Sequence, residues 1–195
     1  MSIRAFLGIG LAPQVRTTLN ACTAAIQAES RAWRDEKWVS PENLHVTLKF
    51  LGAVEEAELS GIIQACTRGC EGLPEYSLTL GEIQAKPRLR TASMLWTTLA
   101  EGEAQTATLA TAIERELATV GIEPTTRPFS AHITIVRARK PKQVPFEALD
   151  AGNRALYAAG EREKKMSVRG ITLFSSTLTP RGPLYQELAH VPFTG

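Results

Sequence analysis

The sequence predicts a mixed domain of helices and strands, either α/β or α+β, in a chain of 195 residues. Segments with helical apolar spacing alternate with short β-prone segments, and turn residues separate them. Two segments, LHVTLKF at 44–50 and AHITIVR at 131–137, share one pattern and lie about half a chain apart. This echo favours a duplicated β-α unit. No linker rich in Ser, Gly or charge divides the chain, so we expect one two-lobed domain over residues 1–195.

The composition is that of a globular protein, with 44% hydrophobic and 22% charged residues. A formal net charge of +2 excludes a generally basic nucleic-acid-binding chain, so a site for a polyanion must be local. The chain has only three cysteines, a small and odd number that does not suit a secreted disulfide scaffold. This favours free thiols in a reducing compartment. No apolar run is long enough to span a membrane. We therefore expect a cytoplasmic protein without a membrane partner.

In the first half, alternating strands and helices are predicted at 3–10 (strand), 13–31 (helix), 44–51 (strand) and 54–70 (helix). Pro13 opens the first helix, since proline suits a first helical position. Gly52 is expected to end the second strand. Acidic residues at the start of the second helix favour its N-terminus.

In the second half, strands are predicted at 76–84, 92–99, 131–138, 166–178 and 184–191, and helices at 103–119 and 145–158. Gly121 closes the helix that begins near residue 103. The segment TPRGP at 179–183 predicts a turn between the last two strands.

The two similar segments each contain a His-x-Thr motif, His45-Val46-Thr47 in the first and His132-Ile133-Thr134 in the second. Side chains alternate along a strand, so each histidine shares a face with its threonine. The opposite faces are predicted to be apolar, with Leu44, Val46, Leu48 and Phe50 on one strand and Ala131, Ile133 and Ile135 on the other. A single histidine on a half-buried strand is usually structural. Two of the three histidines in matched settings favour function instead.

Paired histidines without paired carboxylates suit displacement at phosphorus. The attacking oxygen loses a proton on one side while the leaving oxygen gains one on the other. Imidazole titrates near neutral pH, so one ring can act as the base and the other as the acid without a metal or other cofactor. The threonine hydroxyls can donate to phosphate oxygens. The sequence alone does not order the two histidine roles.

The chain resembles the bacterial RNA 2′,3′-cyclic phosphodiesterases, also called 2′-5′ RNA ligase-like proteins, of the two-histidine phosphoesterase superfamily. The resemblance rests on both H-x-T-x motifs and on the segments FLGIGLAP, KWVSPENLHVTLKFLG, LWTTL, RPFSAHITIVR and LFSSTLTPRGPLYQEL. It covers nearly the whole chain. One departure is Ala131, which stands where the family often has proline before the second histidine.

Membership would imply an α+β bilobal fold, with two antiparallel β-sheets around a central cleft, helices outside and pseudo-two-fold symmetry. It would imply hydrolysis of RNA 2′,3′-cyclic phosphate ends, including those of tRNA fragments, to 2′-phosphates by a monomer. By motif, His45 resembles the proton donor and His132 the proton acceptor. Thr47 and Thr134 resemble the phosphate-contacting threonines.

Basic residues near the second motif add candidate phosphate contacts. Arg127 and Arg137 flank His132 and are favoured, and Lys86, Arg88 and Arg90 form a second basic segment. Phe129, Trp96 and Tyr185 can stack a base, although core packing is the first expectation for each. Cys66 and Cys70, spaced i and i+4, are interpreted as helix packing rather than metal ligands, and His190 as structural or surface.

Three other functions remain compatible with these residues. One is the reverse reaction, joining a 2′,3′-cyclic end to a 5′-hydroxyl, and another is a non-catalytic RNA-binding protein that keeps the cleft. The third is hydrolysis of small cyclic nucleotides or of cyclic ADP-ribose phosphate. Product analysis separates the first from hydrolysis, and the intact motif pair disfavours the second.

Overall fold

The computed structural model describes residues 2–180 and 182–195. Its strands are β1 (Ser2–Gly10), β2 (Lys37–Trp38), β3 (His45–Glu55), β4 (Tyr76–Lys86), β5 (Ala92–Glu101), β6 (Ile133–Lys142), β7 (Lys165–Val168), β8 (Gly170–Thr179) and β9 (Gly182–Pro192). Its helices are α1 (Pro13–Glu29), α2 (Arg31–Arg34), α3 (Leu59–Cys70), α4 (Glu103–Ala118), α5 (Phe146–Ala158) and α6 (Glu161–Lys164).

Two antiparallel halves form the sheet, in the order β7-β4-β5-β6 and β3-β1-β8-β9, with β2 added to β6. The halves meet where β3 pairs with β6, and in the described part of the chain the only residue pair in that register is Val46 with Ile133. The bilobal α+β fold is therefore confirmed, with both expected sheets continuous through one narrow junction. That junction lies inside both His-x-Thr motifs.

Helices cover the outer face of each half. α1 and α5 pack behind the half that contains β4, where Gly152 lies against Ile26 and Ile83. α3 and α4 pack behind the other half, where Gly69 lies against Ile113. Each contact is too close for a β-carbon, so the glycines let the helices approach their neighbours. No helix among the described residues is long and apolar enough to cross a membrane.

Most predicted elements are present with shifted ends. The first predicted helix ends at Glu29 and continues after Ser30 as α2. The helix predicted over 54–70 begins only at Leu59, because the segment Glu56–Glu58 forms a 3₁₀ turn. α4 ends as expected near Gly121, which adopts a positive φ of 84°.

The strand predicted over 166–178 is wrong as one element. β7 pairs with β4, whereas β8 pairs with β1 and β9, so the chain passes from one half of the sheet to the other at Arg169. A single straight strand cannot pair with both halves. Apolar periodicity shows no break there, since both strands are buried.

Two β-bulges overturn two predictions for β3. Gly8 lies opposite Thr47 but Leu7 lies opposite Lys49, which leaves Leu48 as an extra residue. A second bulge at residue 51 follows, and Gly52, with φ of 77°, lies within the strand rather than ending it. The first bulge reverses the alternation, so Lys49 is buried and Phe50 is 65% exposed on the other face.

Strand β6 contains an equivalent β-bulge. Trp96 lies opposite Thr134 but Leu95 lies opposite Val136, which leaves Ile135 as the extra residue. Each bulge thus falls three residues after its histidine. As a result, the fifth residue after each histidine, Phe50 in β3 and Arg137 in β6, lies on the same face as the His-x-Thr pair.

Candidate active site

His45 begins β3 beside two glycines of β1. On β1, Gly10 lies opposite His45 and Gly8 lies opposite Thr47. A β-carbon on Gly8 would lie 2.9 Å from the carbonyl oxygen of Val46 and 3.4 Å from Cδ2 of His45. Glycine at position 8 therefore leaves the imidazole its space.

His132 occupies the equivalent place in the other half, one residue before β6. Because Val46 pairs with Ile133, the residues that follow the two histidines are direct neighbours across the junction. Thr134 lies opposite Trp96 and is half-buried. The structure thus brings His45, Thr47, His132 and Thr134 to one cleft.

Backbone carbonyls orient both imidazoles in the same way. Nδ1 of His45 lies 2.6 Å from the carbonyl oxygen of Asn43, and Nδ1 of His132 lies 2.8 Å from that of Ser130. A carbonyl oxygen only accepts, so Nδ1 must carry the proton in both rings. The other nitrogen, Nε2, is therefore the one that gains or loses a proton.

The two Nε2 atoms differ in their partners. Nε2 of His45 lies 2.9 Å from Oγ1 of Thr47, so the hydroxyl donates to the neutral ring and accepts from the charged one. Among the described residues, the side chain of Thr134 makes no hydrogen bond. The second threonine hydroxyl is therefore free to bind a ligand.

Aromatic rings flank each histidine. The Trp96 ring centroid lies 3.9 Å from that of His132, and Lys86 Nζ lies 4.8 Å above the same indole. On the other side, Phe6 and Tyr185 lie 4.8 Å and 5.4 Å from the His45 ring. The expectation that Trp96 and Tyr185 belong to the core is wrong, because both line the cleft.

Burial lowers the pKa of both histidines below the ordinary value of 6.5, and nearby positive charge lowers each further. Arg137 contributes to the lowering at His45 and at His132, and Lys86 contributes at His132. The bonds to Asn43 and Ser130 oppose this, since they favour the charged rings. A bound phosphodiester anion would offset the repulsion and raise both pKa values.

Arg137 is the cation common to the whole site. It also lowers the pKa of Tyr185, whose burial otherwise raises that pKa, so Arg137 lies within electrostatic range of both walls. The bulge at residue 135 explains this position, because strict alternation from Thr134 would turn Arg137 away. Arg127 is exposed in the segment between α4 and β6, and its phosphate contact stays a prediction.

Other candidates have structural explanations. Phe129 packs against the core. Cys66 and Cys70 are buried free thiols whose pKa values burial raises to about 12 and about 11. His190 is exposed and lies 3.2 Å from Thr172 through Nδ1. No group of three or more His, Cys, Asp or Glu in the described part of the chain is arranged to hold a metal.

The sequence model for the LigT-like phosphoesterases matches residues 9–96 and 99–185. The chain belongs to the LigT-like phosphoesterase family. The two matched segments contain one His-x-Thr motif each, which agrees with the duplicated architecture. The aromatic and basic lining described above is therefore that of a LigT-like cleft.

Curated relatives in this LigT-like family share about 30% of their residues with the chain. The RNA 2′,3′-cyclic phosphodiesterase of Thermotoga maritima is 31% identical over 158 residues, which cover 81% of this chain and 80% of the relative. That of Aquifex aeolicus is 29% identical over 184 residues, covering 94% and 93%. The chain is thus an enzyme, a cyclic phosphodiesterase that hydrolyses phosphoric diester bonds.

Solved structures show the same LigT-like fold. The protein TT0787 of Thermus thermophilus superposes with a TM-score of 0.75 at 26% identity, covering 98% of both chains. Escherichia coli LigT, solved with 3′-AMP, superposes with a TM-score of 0.73 at 22% identity over the whole of both chains. The second likeness concerns the fold alone.

Proposed function

We propose that the protein hydrolyses 2′,3′-cyclic phosphate ends of RNA to 2′-phosphate ends by acid–base catalysis from His45 and His132, without a metal. One observation carries the mechanism: both imidazoles are fixed through Nδ1 to carbonyl oxygens two residues earlier, which leaves both Nε2 atoms for the reaction. Both motifs meet at the one residue pair that joins the lobes in the described part of the chain.

The reaction needs one charged and one neutral ring. Neutral His132 takes a proton from water at Nε2 as the water oxygen bonds to phosphorus. The bond between phosphorus and the 3′-oxygen breaks, and charged His45 gives its Nε2 proton to that oxygen. The products are a 2′-phosphate and a free 3′-hydroxyl. The role of each histidine follows from the family resemblance.

Hydrogen-bond donors around the two rings would hold the phosphate. Thr47 and Thr134 lie on the cleft face beside their histidines, and Arg137 supplies a full positive charge within range of both. Charge that develops on phosphate oxygens is best stabilised by such fixed donors. Arg127 is a further proposed contact. Lys86, from the second basic segment, and Tyr185, which the sequence suggested only for stacking a base, lie in the same cleft.

RNA is the proposed substrate because the relatives carry that activity in their names. The chemistry also excludes DNA as the substrate, since a 2′,3′-cyclic ester needs the ribose 2′-oxygen. Broken tRNA strands with such ends belong to this class.

We further propose that the chain acts as one monomeric domain in the cytoplasm. Each lobe holds only one of the two motifs, so neither lobe alone has both acid and base. Buried free thiols at Cys22, Cys66 and Cys70 suit a reducing compartment.

The test is incubation with an oligonucleotide that ends in a 2′,3′-cyclic phosphate, with and without a chelator, followed by mapping of the phosphate. We expect a 2′-phosphate product at the same rate in both. A 3′-phosphate product would reverse the leaving group, and activity that needs an added divalent ion would overturn the metal-free mechanism. His190→Ala, which changes the third histidine, serves as the control and should retain activity.

The reverse direction is measured with the same protein. A cyclic-ended strand and a 5′-hydroxyl strand at high concentration would yield a 2′-5′ linked product if ligation occurs. If the 2′-phosphate product of hydrolysis exceeds the 2′-5′ linked product under these conditions, the result supports hydrolysis as the activity.

A further inference from the structure

We propose that Asn43 is a positioning residue for His45, because its side chain ties the turn that orients the imidazole to the hairpin of β8 and β9. The inference rests on the proposed function, in which the Nε2 proton of His45 is given to the leaving 3′-oxygen. Asn43 acts through the ring of His45 and not on the substrate.

The backbone of Asn43 makes the bond that orients the ring. Asn43 ends the 3₁₀ turn Pro41–Asn43, and its carbonyl oxygen lies 2.6 Å from Nδ1 of His45, two residues later. A carbonyl oxygen in a short turn holds a ring only as firmly as the turn itself is held. The direction of the imidazole therefore depends on what the turn is attached to.

The side chain of Asn43 makes this attachment. Its Nδ2 donates to the carbonyl oxygen of Pro183, which lies 2.8 Å away and 140 residues later in the chain. Pro183 pairs with Leu178 near the tip of the hairpin that β8 and β9 form. The amide thus fixes the turn before β3 to the last strand of the sheet.

The same strand also contacts the ring of His45. Tyr185 is two residues after Pro183 on β9. Its ring meets that of His45 edge to face, with the centroids 5.4 Å apart, and it packs on Phe6 at 4.8 Å. The contacts form a closed cycle, from the Asn43 carbonyl to the imidazole, then to Tyr185, along β9 to Pro183 and back to the Asn43 amide. Loss of the amide opens this cycle.

The second motif differs at the equivalent residue. Ser130 lies two residues before His132, and its carbonyl oxygen makes the same bond to Nδ1. Among the described residues, the hydroxyl of Ser130 makes no hydrogen bond. The two halves therefore share the carbonyl bond, whereas the attachment through a side-chain amide belongs to His45.

A proton donor needs this support because its proton must reach one oxygen while the bond to phosphorus breaks. Burial lowers the pKa of His45, and the bond between Nδ1 and the Asn43 carbonyl opposes that lowering. A firmly held carbonyl therefore directs the Nε2 proton and helps the ring to retain it until the transition state.

The kinetic experiment compares Asn43→Ser, which copies the second motif, with Asn43→Asp, which keeps the shape and removes the N–H donor. Both should lower kcat about 5–50-fold on a cyclic-ended oligonucleotide and change KM by less than about twofold. On a cyclic end with sulfur in place of the 3′-oxygen, the loss should shrink, because a thiolate leaves with less help from an acid. Equal losses on both substrates would overturn the positioning role.

Asn153→Ser is the matched control, because Asn153 also ties two elements through its side-chain amide. On α5, its Oδ1 accepts from the backbone N–H of Ile83 at 2.8 Å, and its Nδ2 donates to the carbonyl oxygen of Ile83 at 3.1 Å. Asn153→Ser should lower the free energy of unfolding at least as much as Asn43→Ser and leave kcat unchanged. An equal fall of kcat in both variants would show general destabilisation instead of positioning.

The pKa of His45 gives a readout that needs no turnover. The chain has three histidines, so labelled imidazoles give three titrating NMR signals that single alanine variants assign. In Asn43→Ser the pKa of His45 should fall, because a loosened carbonyl favours the charged ring less, and that of His132 should change less. The charged and titratable groups around the ring, Arg137, His132 and Tyr185, are the same in both proteins.

This titration separates the two proposals. If wild type cleaves no cyclic end, the proposed function fails, and the NMR signals still decide whether Asn43 holds the ring. A His45 pKa that is unchanged in folded Asn43→Ser would overturn the role of Asn43, whatever the activity of wild type.

Discussion

His45 and His132 have the same backbone bond at Nδ1 but different partners at Nε2. Thr47 reaches Nε2 of His45, whereas the Thr134 hydroxyl makes no bond among the described residues. The Thr47 hydroxyl can donate to the neutral ring or accept from the charged one, so it holds the His45 ring in place in both states. The Thr134 hydroxyl is left for the phosphate.

Removal of either histidine should cost about 10²–10⁴-fold in kcat, because one transition state needs both proton transfers. The double change His45→Ala with His132→Ala should be little worse than either single change. Thr47→Val and Thr134→Val each remove one hydrogen bond and should cost about 10–100-fold. Single-turnover rates on a cyclic-ended oligonucleotide measure all five variants. Near-normal rates in both folded histidine variants would discard the site.

The lowered histidine pKa values predict a bell-shaped pH profile of kcat/KM that lies on the acid side of neutrality. The alkaline limb reports loss of the proton from the acid in the free enzyme, whose pKa is below 6.5. Arg137→Met removes a charge that lowers both pKa values, so the profile should move to higher pH while its maximum falls. Arg139→Met is the control, since Arg139 acts on Glu36 rather than on the histidines. A shift of equal size in both variants would contradict the assignment to Arg137.

Among the elements, strand β3 has two functions because its bulge puts Lys49 on the inner face together with Leu48 and so turns Phe50 to the cleft. Phe50 faces the cleft. Lys49 points inward and binds the C-terminal part of α4 and the segment that follows it, an arrangement that we call the Lys49 anchor. Lys49 Nζ lies 2.8 Å from Glu114, 2.6 Å from the carbonyl oxygen of Glu123 and 3.0 Å from Thr125 Oγ1. These bonds fix the segment that leads to His132.

Lys49→Met should therefore loosen that segment and leave Glu114 without its cation. We expect a loss of about 1–3 kcal/mol in the free energy of unfolding, because Glu114 is still reached by water. Activity should fall more through kcat than through KM, since His132 is displaced rather than the binding wall. Urea unfolding and steady-state kinetics measure the two effects. Lys49→Met with Glu114→Gln should recover part of the stability, and a full recovery of kcat in that variant would contradict the anchor.

The sequence predicted the elements and the histidine pair because both are local patterns. Helical spacing identified α1, α3, α4 and α5, and the period of two placed each threonine beside its histidine. The faces of Phe50 and Arg137 could not be predicted in this way, since each depends on a bulge visible only in the pairing with a neighbouring strand. Trp96 was misassigned for a related reason: apolar sequence does not show which face of β5 meets the cleft.

At the scale of the whole molecule, one residue pair among the described strands joins the halves of the sheet, while the chain crosses between them repeatedly. β1 belongs to one half, α1 packs behind the other, and β8 returns after β7. These crossings favour a single cooperative unit over two lobes that open separately.

Buried thiols test this cooperativity, since Cys22 lies on α1 and Cys66 on α3, behind different halves. Burial raises their pKa values to about 11 and about 12, so native thiols should react very slowly. With a thiol reagent and mass spectrometry, both cysteines should be modified at one rate set by global unfolding. Clearly different rates would show lobes that open independently and would oppose the single domain.

The carbonyl oxygens of Asn43 and Ser130 have a consequence for successive catalytic cycles. They retain the Nδ1 proton of each ring, so each histidine has one exchangeable proton site. With the proposed roles, every hydrolysis carries one proton across the cleft and leaves His45 neutral and His132 charged. That inverted ionic state is the one that re-formation of the cyclic ester requires, in which His45 takes the proton of the 3′-hydroxyl and His132 gives a proton to the departing water. Forward turnover must therefore be reset by proton exchange with water, and a product that stays bound before the reset meets an enzyme already poised to reseal it.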